Sequence, residues 1–152
     1  MAHRFCDFNV YGPRQNSGGN YAAVIPRFIR ACATKKPLTI YGDGKQTRDF
    51  IYVSDVVEAN LAAMTTTHEN AFGKAYNIGS GKETSVSELA TTISRLSRSI
   101  TFMISAPALR EPHRSVADIN AARRILDWQP KVSLAEGIKL TLHTYTRVQE
   151  EY

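Results

Sequence analysis

Two short β-rich runs, each cut by a turn with an arginine beside the cut, constrain this chain more than any other feature. The first is Phe8-Asn9-Val10-Tyr11-Gly12-Pro13-Arg14. The second is Leu38-Thr39-Ile40-Tyr41-Gly42-Asp43-Gly44-Lys45-Gln46-Thr47-Arg48-Asp49-Phe50-Ile51-Tyr52. Glycine and proline interrupt both, so neither run can continue as a long strand or become a helix. A guanidinium held at a strand-to-turn boundary suits phosphate, because its planar donors match phosphate oxygens. A surface ion pair is the competing reading for either arginine.

Between and after these runs, helical spacing recurs. Ala22 to Thr34 places Val24, Ile25, Phe28, Ile29 and Cys32 on one stripe, with Pro26 tolerable in the first turn. Arg4 to Val10 reads as a strand, Leu38 to Tyr41 as another, and Asp49 to Val53 as extended chain. Ser54 is expected to cap a helix to about Met64, with Val56, Val57, Leu61 and Met64 on one face. Ala75 to Ile78 and Ile100 to Ile104 read as strands, and Ala106 to Ser115 as irregular chain. Ser85 with Glu88, and Ser133 with Glu136, have the spacing of capping boxes opening two further helices. Asp118 is placed to cap a short helix ending near Leu126. The expected class is α/β, with short strands and about five helices.

Composition excludes several classes. The 152 residues are 43% hydrophobic and 22% charged, which suits one globular core. No run approaches the 18 apolar residues of a membrane helix, and Met1-Ala2-His3-Arg4 does not resemble a signal peptide. Cys6 and Cys32 show no metal spacing and no disulfide framework, so a reducing, cytoplasmic compartment is expected. Net charge is +5. Six basic residues (Arg27, Arg30, Lys35, Lys36, Lys45, Arg48) face one acid, Asp43, between Pro26 and Arg48. A diphosphate site, a nucleic-acid surface and a solvated helix face each explain such a run. The last accounts for Arg27, Arg30, Lys35 and Lys36. No aromatic-interleaved basic motif or recognition helix accompanies the charge, which argues against nucleic acid.

Three apparent motifs fail on spacing. Gly79-Ser80-Gly81-Lys82 is not a P-loop, because Tyr76 and Glu83 stand where glycine and Ser/Thr are required. Neither Gly42-x-Gly44 nor Gly79-x-Gly81 has the third glycine of a dinucleotide fingerprint. Tyr41 and Lys45 are four apart, but Gly42 and Gly44 between them make a turn rather than the helical face such a pair needs.

The runs FNVYGPRQ and YGDGKQTRDFIYVSDVVEAN resemble the C-terminal half of a nucleotide-sugar epimerase. The family is the NAD-dependent epimerase/dehydratase group of extended short-chain dehydrogenases/reductases, and the likeness is greatest to UDP-glucose and UDP-N-acetylglucosamine 4-epimerases. It continues, in order, through NIGSGKETSVSELA and VADINAARRILDWQPKVSLAEGI. The resemblance implies the substrate-binding portion of a Rossmann-type enzyme whose cofactor-binding sheet is missing. Residues 1–14 would be the last strand of the cofactor domain with its crossover, and residues 15–152 the nucleotide-sugar domain. NAD would serve the complete enzyme, and none is expected on this part. The catalytic Tyr-x-x-x-Lys pair would lie upstream of FNVYGP, so no catalytic residue is assigned here.

Site residues follow from the same resemblance. Asn9 would offer its amide to the diphosphate, Arg48 would hold it, and Tyr41 would stack on uracil while backbone near Ile40 reads the base edge. Turn capping competes for Asn9, strand packing for Tyr41, and an Asp49 ion pair for Arg48. Val86 would wall the nucleotide, with helix-core packing as the rival role. The family pattern Arg-x-Gly-Asp/Glu is departed from at Leu109-Arg110-Glu111-Pro112-His113-Arg114. Arg110 and Glu111 are the candidates for phosphate and ribose, and Arg114 is an alternative phosphate ligand. Ser115 would stand at a gatekeeper position that admits an N-acetyl group. The implied partners are a UDP-sugar, the missing cofactor domain and a second copy, since apolar surface near Phe5, Phe8 and Val10 would lie open. Neither a membrane nor nucleic acid is expected. Three readings stay open: half of a UDP-sugar 4-epimerase, half of a related dehydratase or decarboxylase, and a non-catalytic binding module or basic partner-binding domain.

Overall fold

In the computed structural model, residues 3–16, 22–98, 103–106 and 112–150 are described. The order is β1 (Arg4–Asp7), β2 (Val10–Tyr11), α1 (Val24–Ala33), β3 (Leu38–Tyr41), β4 (Thr47–Arg48), β5 (Ile51–Tyr52) and α2 (Val53–Thr65). A 3-10 turn (Glu69–Ala71) then leads to β6 (Ala75–Ile78), β7 (Thr84–Ser85), α3 (Val86–Leu96), β8 (Met103–Ala106), α4 (Asn120–Ile125) and α5 (Leu134–Glu150). The strands form four two-stranded sheets. Three are parallel: β1 with β6, β2 with β5, and β3 with β8. The fourth, β4 with β7, is antiparallel. The α/β class and the five helices match the sequence reading.

Two hydrophobic cores result. The first gathers Tyr11, Phe28, Ile29, Leu38, Phe50, Leu89, Ile93 and Ile138, so α1, α3 and α5 enclose β3. The second gathers Ile51, Tyr76, Ile78, Ile119, Leu126 and Trp128 with five alanines, under β1–β6, α2 and α4.

Local chemistry explains two helix starts and one turn. The Ser85–Glu88 box is complete: Glu88 N donates to Ser85 Oγ at 3.1 Å, and Ser85 N donates to Glu88 Oε2 at 2.9 Å. Ser133 Oγ accepts from Glu136 N at 3.3 Å, opening α5. Gly44 has φ +72°, and a Cβ there would meet Ser87 Oγ at 2.1 Å, so only glycine fits this turn.

Five expectations are corrected. The Arg4–Val10 strand breaks at Phe8-Asn9, leaving β1 on β6 and β2 on β5. Ser54 is not a cap. Tyr52 precedes the helix without a side-chain bond, because β5 runs straight into α2. The inward face of α2 is Asp55–Ala59–Ala63, whereas Val57, Leu61 and Met64 are exposed. Asp118 does accept from Asn120 N at 3.0 Å, but Ile119 separates it from the helix. Phe5, Phe8 and Val10 are not an open patch: they are half-buried against the second core.

Candidate functional site

A cavity of about 490 Å³ opens beside the first core. β3 and the turn after it supply Thr39, Tyr41, Gly42, Asp43 and Gln46. The N-terminal end of α1 supplies Val24, Ile25 and Arg27, and β4 supplies Arg48. Asn9, Phe50, Val86 and His113 complete much of the wall. The cavity is therefore built by tight turns between short strands, which hold side chains on rigid supports.

Four of the residues singled out from sequence meet there: Asn9, Tyr41, Arg48 and Val86. Arg48 Nη1 donates to the carbonyls of Thr47 and Pro112, each at 2.8 Å. Those bonds orient the guanidinium in the cavity lining and tie the 112–115 segment to β4. Asp49 is not its ion partner. That carboxylate is fully buried on the other side of the chain and accepts from Ser80 N, Ser80 Oγ, Gly81 N and Ala117 N. Adjacent extended residues pointing to opposite faces explain the separation. Asn9 Nδ2 donates to the Asp49 carbonyl at 2.8 Å. An amide nitrogen has two N–H donors, so this bond orients the side chain without using both. Val86 is buried and belongs to the first core while also touching the cavity, so it serves packing and wall together.

The other sequence candidates lie elsewhere. Ile40 is buried in the first core, pointing away from the cavity that its neighbours Thr39 and Tyr41 line. Arg110 and Glu111 lie outside the described residues. Arg114 is not among the lining residues. Its Nε and Nη2 donate to Glu83, whose Oε2 accepts from Thr47 Oγ1. The Arg114 guanidinium holds the Glu83 carboxyl below its usual range, and Glu83 in turn raises Arg114. Ser115 is half-buried and donates its backbone N–H to the Thr47 carbonyl at 3.2 Å. The two residues act as a strap on β4, completed by the Thr47–Arg114 bridge. Arg14, beside the first turn, is exposed and also lies outside the lining.

Arg27, Gln46 and His113 were not anticipated. Arg27 belongs to the basic run that a solvated helix face would explain, yet its guanidinium lies 5.4 Å from the centre of the Tyr41 ring. It sits three residues after half-buried Val24 and one before buried Phe28, on the margin of the apolar stripe. That margin was the available signal. Charge in the lining is then Arg27 and Arg48 against Asp43, which accepts from Lys45 N at 2.9 Å. The cavity suits an anionic ligand with a flat apolar part.

The 79–81 turn is the feature that could cradle a dinucleotide phosphate, and it does not fit one. Its amides are turned on the Asp49 carboxylate, at 2.7 Å from Ser80 and 2.9 Å from Gly81. A Cβ at Gly79 would stand 2.5 Å from Ala117 Cβ and 2.7 Å from Asp49 Oδ2, so the space is filled. No step through NAD is assigned to these residues. Among the described residues no cluster could hold a metal ion, and no helix is long and apolar enough to cross a membrane.

Comparison with known proteins gives the chain a family and structural relatives. Residues 6–79 match the model of the NAD dependent epimerase/dehydratase family. The chain is 39% identical over 151 residues to UDP-N-acetyl-alpha-D-glucosaminuronate decarboxylase of Bacillus cytotoxicus, covering 95% of this chain and 46% of that protein. It is 39% identical over 138 residues to UDP-glucose 4-epimerase of Mycolicibacterium smegmatis, covering 90% and 43%. Among solved structures, UDP-glucose 4-epimerase with UDP-glucose from Thermotoga maritima superposes with a TM-score of 0.89 at 34% identity, covering 97% of this chain and 46% of that one. The chain thus spans slightly less than half the length of each of these relatives.

Proposed function

Since the chain belongs to the NAD-dependent epimerase/dehydratase family, we propose that it is the part of a UDP-sugar 4-epimerase that holds the nucleotide sugar. The observation that carries this reading is the convergence of Asn9, Tyr41, Arg48 and Val86 on one cavity from four separate segments. In this reading the Tyr41 ring receives uracil and Thr39–Ile40 backbone reads its edge. Arg48 and the second N–H of Asn9 hold the diphosphate, and Val86 and Phe50 form the apolar wall. The first core, with α1, α3 and α5, is the nucleotide-sugar domain. β1 belongs to the cofactor side, and β6, which pairs with it, goes with it. None of the described residues is given a part in hydride transfer. A sugar-nucleotide decarboxylase is the second reading, favoured by the equal 39% identity to the Bacillus cytotoxicus decarboxylase. Self-association through the exposed Val53, Val57 and Leu61 face of α2 completes the proposal, because an apolar stripe of this kind favours a partner over water.

Titration calorimetry tests the reading. UDP is expected to bind saturably with one site per chain, and UDP-glucose to compete with it. UDP-glucuronate outcompeting UDP-glucose strongly would favour the decarboxylase reading. Heats no larger than dilution for every uridine nucleotide would overturn both.

A further inference from the structure

We propose that Arg27 is a positioning residue: together with Gln46 it locks Tyr41 into a preset platform, and so sets how tightly a nucleotide base is held in the cavity. The inference rests on the nucleotide-sugar reading of that cavity. It adds a residue which neither the sequence pattern nor the comparisons assign.

Tyr41 ends β3 and is followed at once by Gly42, with φ 72°. At such a corner a ring has little neighbouring chain to fix its orientation. Two side chains supply what the backbone lacks. Gln46 Nε2 donates to the Tyr41 carbonyl at 2.8 Å, closing the turn and fixing the main chain. Arg27 Nη2 donates to the Tyr41 hydroxyl at 3.5 Å, and its guanidinium lies 5.4 Å from the ring centre. One ligand-facing ring is therefore held at its root by an amide and at its tip by a cation.

Arg27 can do this because α1 is itself firmly seated. Ile25, Phe28, Ile29 and Cys32 are all buried in the first core. A guanidinium on a ring is favourable, because the ring face is negative and arginine is weakly hydrated. A ring already oriented loses less freedom when a base stacks on it, so the restraint appears as affinity for the base-bearing ligand. A direct ionic contact from Arg27 to phosphate makes the opposite demand: it would serve a ligand without a base equally well.

Affinities for UDP and for inorganic pyrophosphate, measured by calorimetry on the wild type, Arg27→Ala, Tyr41→Leu and the double variant, separate the two. Arg27→Ala is expected to weaken UDP about three- to tenfold, the scale of one cation–π contact. Pyrophosphate, which meets Arg27 only as one charge of the lining, should weaken far less than UDP, and the double variant should be no weaker than Tyr41→Leu alone. Arg27→Lys, which keeps the charge but loses the planar fork, should fall between wild type and Arg27→Ala; it decides the matter if the alanine variant does not fold. Additive losses, an equal loss for pyrophosphate, or unchanged UDP affinity would overturn the role of Arg27 alone. A wild type that binds neither ligand would overturn the nucleotide-sugar reading, and this inference with it.

Discussion

The two cores of this molecule are built from the same kinds of element and end in different states. The first closes on itself: α1, α3 and α5 bury their apolar stripes around β3, and the cavity is set into its edge. The second rests on the parallel pair β1–β6, toward which α2 turns its alanines Ala59 and Ala63. Parallel strands are ordinarily covered on both faces. Here Arg4, Cys6 and Asp7 are exposed, and Val53, Val57 and Leu61 stand in water on one face of α2 at intervals of four. This helix turns alanine inward and valine and leucine outward, the face on which the self-association proposed above would rest. The lesson is that a preset ligand cavity needs one complete core, and that the other core can remain open without disturbing it.

The joint between the cores offers the largest effect. Asp49 accepts from the 79–81 turn and from Ala117 of the second core, while its neighbour Arg48 faces the cavity. Asp49→Ala would leave four donors without this acceptor, one of them buried and three part-buried; a buried donor left unsatisfied costs about 1–3 kcal/mol. A total loss of at least about 3 kcal/mol is expected in urea unfolding. A smaller loss would mean the cores are stable independently. Next, Leu89→Ala in the closed core should cost about 2–5 kcal/mol. Leu61→Ala on the open face should shift stability by no more than about 0.5 kcal/mol. The same change should reduce self-association in sedimentation; a monomer unaffected by it would show that the stripe is not a contact.

Arg48 and Arg30 divide the cavity from its surroundings. Arg48→Ala should weaken UDP by about 1.5–3 kcal/mol, the range for a charge-assisted hydrogen bond. Arg30, exposed on α1 and outside the lining, should change it far less. Acid gives the smallest effect. Backbone and hydroxyl donors of Ser85 hold Glu88 below its ordinary value, and Arg114 with Thr47 does the same for Glu83. A depressed carboxylate contributes stability above its unfolded pKa, which is lost as pH falls through the folded one. Melting temperature should therefore drop below about pH 4.3, the ordinary glutamate value. Glu88→Gln should flatten part of that drop.

The two cores differ in how much of them is legible in the sequence. The Ser85–Glu88 box, β3 and the glycine turn after it are local, and local chemistry gives them away. Asn9, Tyr41, Arg48 and Val86 came through likeness to a family, since nothing in their spacing brings four distant segments together. The pairing of β1 with β6 spans some seventy residues, and no local signal encodes it. The outward face of α2 read as a core stripe, because valine and leucine outrank alanine in any apolar pattern. Arg27 was hidden by its company: in a basic run, one guanidinium that turns inward looks like the rest.

Amide NMR of the labelled protein titrated with UDP tests whether the cavity beside β3 and β4 is where the nucleotide binds. Saturable shifts are expected at Thr39, Tyr41, Gly42, Gln46 and Arg48, with α2 from Val53 to Thr65 unmoved. Shifts scattered over the basic surface, or centred on α2, would contradict it.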